Sequence, residues 1–207
     1  MGTAGGQPRL WVIRHGETEW SRSGQHTGCT DLPLTTRGEG QASGVGELVR
    51  WLVGAGGFDL VFCSPMLRTR RTAELAGLCG GAAGGQFEVD PDLREWDYGE
   101  LEGRVTAEIR AEYPGWSIWD GPWPGGETAA EVSARADRVV ARVVGSGMSN
   151  VAVVGHGHFS RALAARWVGA ELGVGRWLEL DTASVSELDW SQGQRVIRRW
   201  NMVAEAE

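Results

Sequence analysis

Residues 10–20 read LWVIRHGETEW. Four apolar residues, Leu10 to Ile13, run without alternation into Arg14, His15 and Gly16. An unbroken apolar run of this length suits a strand buried on both faces, as in a parallel sheet. Its carboxyl end then delivers a guanidinium and an imidazole side by side. Residues 151–159, VAVVGHGHF, repeat the pattern and break from an apolar run into Gly155, His156, Gly157 and His158. Residues 59–64, DLVFCS, form a third such run, followed by Pro65 and, one turn later, Arg68.

Helical periodicity fills the intervals. Residues 35–54 read as a helix with Thr36 and Glu39 as a capping box, and residues 65–77 as a helix opened by Ser64 and Pro65. Residues 105–113 make a shorter helix, Thr128 and Glu131 cap another over 129–144, and residues 160–169 form the last. Residues 86–90 form a short strand, and 184–190 with 195–201 a closing hairpin. The glycine-rich residues 77–86 read as a flexible surface loop. This rhythm predicts one α/β domain over residues 1–207, three-layered, with a mostly parallel sheet and helices on both faces. Residues 1–8 and 202–207 are expected to fray.

Composition narrows the chemistry. The net charge of −7 argues against nucleic acid or an anionic membrane as partner, so any anionic ligand must be held by local arginines. All 20 basic residues are arginine, which removes the P-loop lysine and Schiff-base chemistry and leaves a cation suited to bidentate phosphate recognition. Three cysteines with no C-x-x-C suggest neither a disulfide framework nor a zinc knuckle. The N-terminus has no apolar signal core and no apolar run approaches ~18 residues, so a cytoplasmic protein is the expectation.

In a sheet of this kind, ligands bind beyond the carboxyl ends of the strands. All four histidines, His15, His26, His156 and His158, fall in two segments that follow such ends. Zinc would want other spacings, and Arg14 beside His15 would repel a dication, so no metal is expected. Arginine beside histidine instead describes a site for a phosphate dianion. Arg14 and Arg68 can grip its oxygens, and the amides at the start of the Pro65 helix add N–H groups. Neighbouring arginines favour a neutral imidazole whose free nitrogen can attack phosphorus. A proton donor for the leaving oxygen is sought in residues 92–103, DLREWDYGELEG. There Glu95, next to Trp96, is modestly preferred to Asp97, because burial beside an indole favours a protonated acid.

The motifs R-H-G-E-T at residues 14–18, L-T-x-x-G-x-x-Q-A at 34–42 and S-P-x-x-R-x-x-x-T at 64–72 occur in that order. They are followed by L-R-E-x-x-Y-G-x-x-E-G at 93–103, G-E-T at 126–128 and G-H-G-H at 155–158. The set resembles the histidine phosphatase superfamily, with the phosphoglycerate-mutase-like fold. The resemblance implies His15 as nucleophile, Glu95 as proton donor, and Arg14, Arg68 and His156 as the phosphate pocket. Residues 18–41 are similar to the sedoheptulose bisphosphatase and bacterial acid phosphatase branch. Mutases of the superfamily carry basic pairs after the acid; here residues 104–127 hold only Arg104 and Arg110, which favours a phosphatase. His26 and Cys29 depart from the family pattern and leave the substrate open.

The expected function is therefore a phosphatase needing neither metal nor cofactor, acting on a small phosphate ester such as a sugar phosphate or bisphosphate. The alternatives are a phosphomutase and a non-enzymatic phospholigand-binding protein, and a homodimer is left open. Thr18, Ser21, Gln25, Thr27 and Gly157 are further candidates for phosphate contacts. Trp116, Trp119 and Trp123 either cover the substrate or pack their loop onto the domain. His158 either lines the pocket or caps the helix that follows it.

Overall fold

A computed structural model describes residues 7–54, 56–80 and 84–204. Its centre is a six-stranded sheet in the order β3-β2-β4-β1-β5-β6. The strands are β1 (Arg9–Arg14), β2 (Phe58–Cys63), β3 (Gly84–Val89), β4 (Asn150–Gly155), β5 (Val185–Ser191) and β6 (Gln194–Met202). The first four run parallel to their neighbours, while β5 joins β1 antiparallel and β6 closes the sheet as a hairpin.

Alternation along the strands divides the core in two. Leu10 and Val12 face one side, with Leu60, Phe62, Val151 and Val153. That side is covered by α4 (Thr106–Glu112), α5 (Ala129–Gly145) and α6 (Gly157–Trp167) through Ile109, Val132, Val139, Phe159 and Trp167. Trp11 and Ile13 face the other side, with Val61 and Val154. There α2 (Thr36–Val53) and α3 (Leu67–Leu75) pack through Val45, Val49 and Ala73. The result is the expected three-layer α/β arrangement. Among the described residues, no helix is long and apolar enough to cross a membrane.

Several local readings need correction. The cap of α2 is Thr35, whose hydroxyl accepts the Gly38 N–H, and Thr36 is already helical. Ser64 caps nothing: α3 starts at Leu67, and the Ser64 hydroxyl is bonded to His156 instead. Helix α6 starts three residues early, at Gly157. Within the glycine-rich stretch, Gly84 to Gln86 belong to β3, and residues 81–83 lie outside the described residues. Glycine at 85 is required by the pairing, since a Cβ there would meet the Asp59 carbonyl oxygen at 2.3 Å. Two residues expected to fray are held. The Pro8 carbonyl accepts the Trp190 indole N–H at 3.0 Å, and Met202 pairs with Val185. By contrast, Thr128 and Glu131 do form the capping box of α5.

Candidate active site

Strands β1 and β4 lie side by side, and the chain leaves their carboxyl ends in different directions across the sheet. Such a switch point opens a crevice. Into it β1 delivers Arg14 and His15. The turn after His15 is compact because two glycines meet there: a Cβ on Gly16 would come 2.3 Å from the Gly38 carbonyl oxygen. Two side chains from the motif regions pin the same turn. Thr72 Oγ1 accepts the Gly16 N–H, and Gln41 Oε1 accepts the Glu17 N–H.

The resulting pocket spans about 630 Å³ including its open mouth, a size that suits a small metabolite. Of the residues singled out in the sequence, Arg14, His15, Ser21, Gln25, Thr27, Glu95 and Gly157 line it. His15 Nδ1 lies 2.7 Å from the Gly16 carbonyl, which accepts its N–H and leaves Nε2 with a lone pair. Arg14 donates from Nη1 to the Leu180 carbonyl at 2.5 Å, but its buried Nε has no partner among the described residues. An unpaired buried N–H is costly and points to a ligand acceptor. Gly157 keeps the guanidinium in place, because a Cβ there would press on Arg14 Cζ at 3.3 Å.

His156 and Arg68 sit behind this surface instead of lining it. Arg68 is fully buried and donates from Nε to His156 Nδ1 at 3.1 Å. Its remaining nitrogens serve the carbonyls of Thr30, Gly28 and Thr27. Since arginine can only donate, His156 must accept at Nδ1 and carry its proton on Nε2, 2.8 Å from Ser64 Oγ. The His156 ring stands edge-on to that of His15, with centroids 5.2 Å apart. Thr18 is also away from the pocket lining: it is buried and its hydroxyl caps α1 (Glu19–Ser23). Ser21 and Gln25 line the pocket, yet Ser21 completes that capping box and the Gln25 amide donates to the Gly103 carbonyl. The amides of α3 do not take part, and its first N–H goes to Asp31.

Glu95 has different surroundings from those expected. Its carboxylate accepts the N–H groups of Trp96, His158 and Phe159 at 2.7–3.0 Å, so it sits on the start of α6. The Trp96 indole turns away, donating to the Glu127 carbonyl and packing against Trp119 and Trp123. Arg135, buried and paired with Glu127, donates to the carbonyls of Asp92, Arg94 and Glu95 and so fixes the backbone that carries the carboxylate. Asp97 caps its own turn through the Gly99 N–H.

The far wall was not foreseen as a unit. It consists of His26, Tyr98, His158 and Arg161, with Trp20, Gly24 and Leu180. Trp116 packs edge-on to His26 and Trp119 to His158, so these tryptophans support the wall from behind and do not cover the substrate. Arg161 stacks on Trp119 and donates to the carbonyls of Gly175 and Arg176. Among the described residues, one set of potential metal ligands closes, Cys29, Asp97 and Glu102, and it includes no histidine.

Burial, followed by the charges of Arg68 and Arg14, holds His15 well below the ordinary histidine range. His156 is lowered in the same way, first by burial and then by Arg68. Burial, and then His26, depresses His158, and burial alone brings His26 to about 4. All four rings are thus neutral at pH 7. The unfolded chain binds protons at these rings below about pH 6.5 while the folded chain does not. Stability should therefore be full above pH 6.5 and fall as the pH drops through it. Urea unfolding should show a lower midpoint at pH 5.5 than at pH 7.5; an equal or higher one would contradict these burial assignments.

Comparison with known proteins agrees with the geometry. Residues 10–203 match the model of the histidine phosphatase superfamily (branch 1), and the chain belongs to that family. It is, by class, a phosphoric monoester hydrolase. It is 43% identical over 190 residues to an acid phosphatase of Mycobacterium tuberculosis, covering 90% of this chain and 89% of that one. Identity to the sedoheptulose 1,7-bisphosphatase of Saccharomyces cerevisiae is 40% over 185 residues, covering 78% of this chain and 68% of that one. The solved structure of an open reading frame product from Mycobacterium tuberculosis superposes with a TM-score of 0.87 at 40% identity, covering 96% of this chain and 99% of that one.

Proposed function

We propose that this chain hydrolyses a small phosphorylated metabolite, a sugar phosphate or bisphosphate, through a phosphohistidine on His15. The observation that carries this is the His15 tautomer: Gly16 holds Nδ1, and Nε2 is left for the pocket that Arg14 and Glu95 also line. In the first step Nε2 bonds to phosphorus as the ester P–O bond breaks, and the leaving oxygen takes a proton from Glu95. In the second, water attacks phosphorus, Glu95 recovers the proton, and the P–N bond electrons return to Nε2. The partnerless Arg14 N–H and the buried Arg68 charge stabilise the negative oxygens in both steps.

Two features favour a metabolite with more than one polar end. Arg161 lies on the far wall with Nη1 unpartnered among the described residues, a place for a second anionic group. The yeast relative is named for a sugar bisphosphate. The test is a panel of sugar phosphates, sugar bisphosphates and phosphorylated acids beside p-nitrophenyl phosphate. Release of phosphate from at least one sugar ester is expected. Interconversion of 3- and 2-phosphoglycerate stimulated by bisphosphoglycerate would make it a mutase, and binding without turnover a phospholigand-binding protein.

Because guanidinium supplies the positive charge, EDTA should leave turnover intact. Vanadate should inhibit by mimicking five-coordinate phosphorus at His15. Activity lost on chelation and restored by zinc or magnesium would overturn this part of the reading.

A further inference from the structure

The far wall contains a pairing that the chemistry above does not use. Tyr98 is buried, and the one partner of its hydroxyl among the described residues is His158 Nδ1, at 2.6 Å. A buried phenol without an acceptor is costly, so the O–H must donate to that nitrogen. His158 then accepts at Nδ1 and carries its own proton on Nε2, which has no partner among the described residues, in a side chain that lines the pocket. The same residue's backbone N–H holds Glu95 Oε2 at 3.0 Å, so the ring is anchored beside the acid group. Trp119, edge-on at 5.7 Å, and the His26 ring at 5.8 Å restrict its rotation.

We propose that His158 is a specificity residue: with its tautomer set by Tyr98, it donates the Nε2–H to a hydroxyl oxygen of the leaving alcohol and selects polyol phosphates over esters of apolar alcohols. This rests on the phosphatase reading of the same pocket. Tyr98 acts as a positioning residue, since it reaches the substrate only through the imidazole. Burial keeps the phenol protonated and the imidazole neutral, so the donor does not change across the working pH range. A site built to bond a hydroxyl discriminates against the analogue that lacks it, because its donor is then left unpaired.

The test compares glycerol 3-phosphate with n-propyl phosphate, alkyl esters that differ in the hydroxyls. The wild-type protein should prefer the glycerol ester in kcat/KM on the order of 10–100-fold. His158→Phe should bring the ratio close to one, and His158→Gln, which keeps an N–H donor, should restore part of it. In parallel, NMR of protein labelled with 15N-histidine should show the His158 ring protonated at Nε2, and Tyr98→Phe should weaken that preference. A ring protonated at Nδ1 in the wild type would overturn the proposal even if His158→Phe fails to fold. So would a ratio unchanged in His158→Phe, or a wild-type ratio near one. Hydrolysis of neither ester nor p-nitrophenyl phosphate would instead defeat the phosphatase reading, while the NMR result would still decide the Tyr98–His158 arrangement.

Discussion

His15→Ala should reduce turnover of every phosphate ester by roughly 10⁴-fold or more, the scale of removing a nucleophile on which the rest of a site depends. The reason is positional. β1 ends at Arg14, the Gly16–Gly38 contact makes the turn tight, and Gly16 accepts the Nδ1 proton, so no neighbouring group can take the place of Nε2. His156 cannot substitute, because Arg68 occupies one of its ring nitrogens and Ser64 the other. The fold should survive, since the His15 ring lies outside the apolar cluster of Ile13, Val45 and Val154 and its ring neighbour is His156, edge-on. Steady-state rates with p-nitrophenyl phosphate and a sugar phosphate, together with a urea midpoint, check both halves. Wild-type rates in His15→Ala would refute the assignment.

Glu95→Gln should have the next largest effect, and the effect should depend on the leaving group. Loss of a general acid typically costs ~10²–10⁴ in rate where the departing oxygen needs a proton. A sugar alkoxide needs one, whereas p-nitrophenolate leaves without it. The variant should therefore be crippled toward alkyl and sugar phosphates and far less affected toward p-nitrophenyl phosphate. Its amide oxygen can keep the N–H groups of Trp96 and Phe159, which share Oε1, while the His158 N–H loses the Oε2 acceptor. Asp97→Asn should show no such dependence, because Asp97 serves the Gly99 amide in its own turn. Equal losses on both substrate types would mean that Glu95 only holds the start of α6. A leaving-group-dependent loss in Asp97→Asn would move the acid two residues along.

The layers and the residues at the strand ends were legible because they depend on local pattern. Uninterrupted apolar runs marked β1, β2 and β4, and the groups at their ends, Arg14, His15 and His156, came with them. The capping box of Thr128 and Glu131 was legible for the same reason. What was not legible depends on distant partners. Ser64 reads as a helix cap until His156, 92 residues away, claims its hydroxyl. Thr35 and Thr36 are equivalent caps in sequence, and the backbone decides between them. Arg135 reaches the Glu95 carbonyl across 40 residues, with no motif to announce it. Tyr98 and Arg161 join one wall only because α6 starts at Gly157, which places Arg161 one turn beyond His158. Glu95 lines the pocket, but its carboxylate sits on backbone amides where an indole had been expected.

The proposed attack of His15 Nε2 on phosphorus leaves a phosphorylated enzyme that can be trapped. Wild-type protein mixed with substrate and quenched within milliseconds in alkali, where phosphohistidine survives, would be digested and mapped by mass spectrometry. One phosphate is expected on the peptide containing His15, carried on Nε2, and none in the His15→Ala protein. Phosphate on another residue, or turnover of a good substrate with no phosphorylated enzyme at any time point, would contradict it.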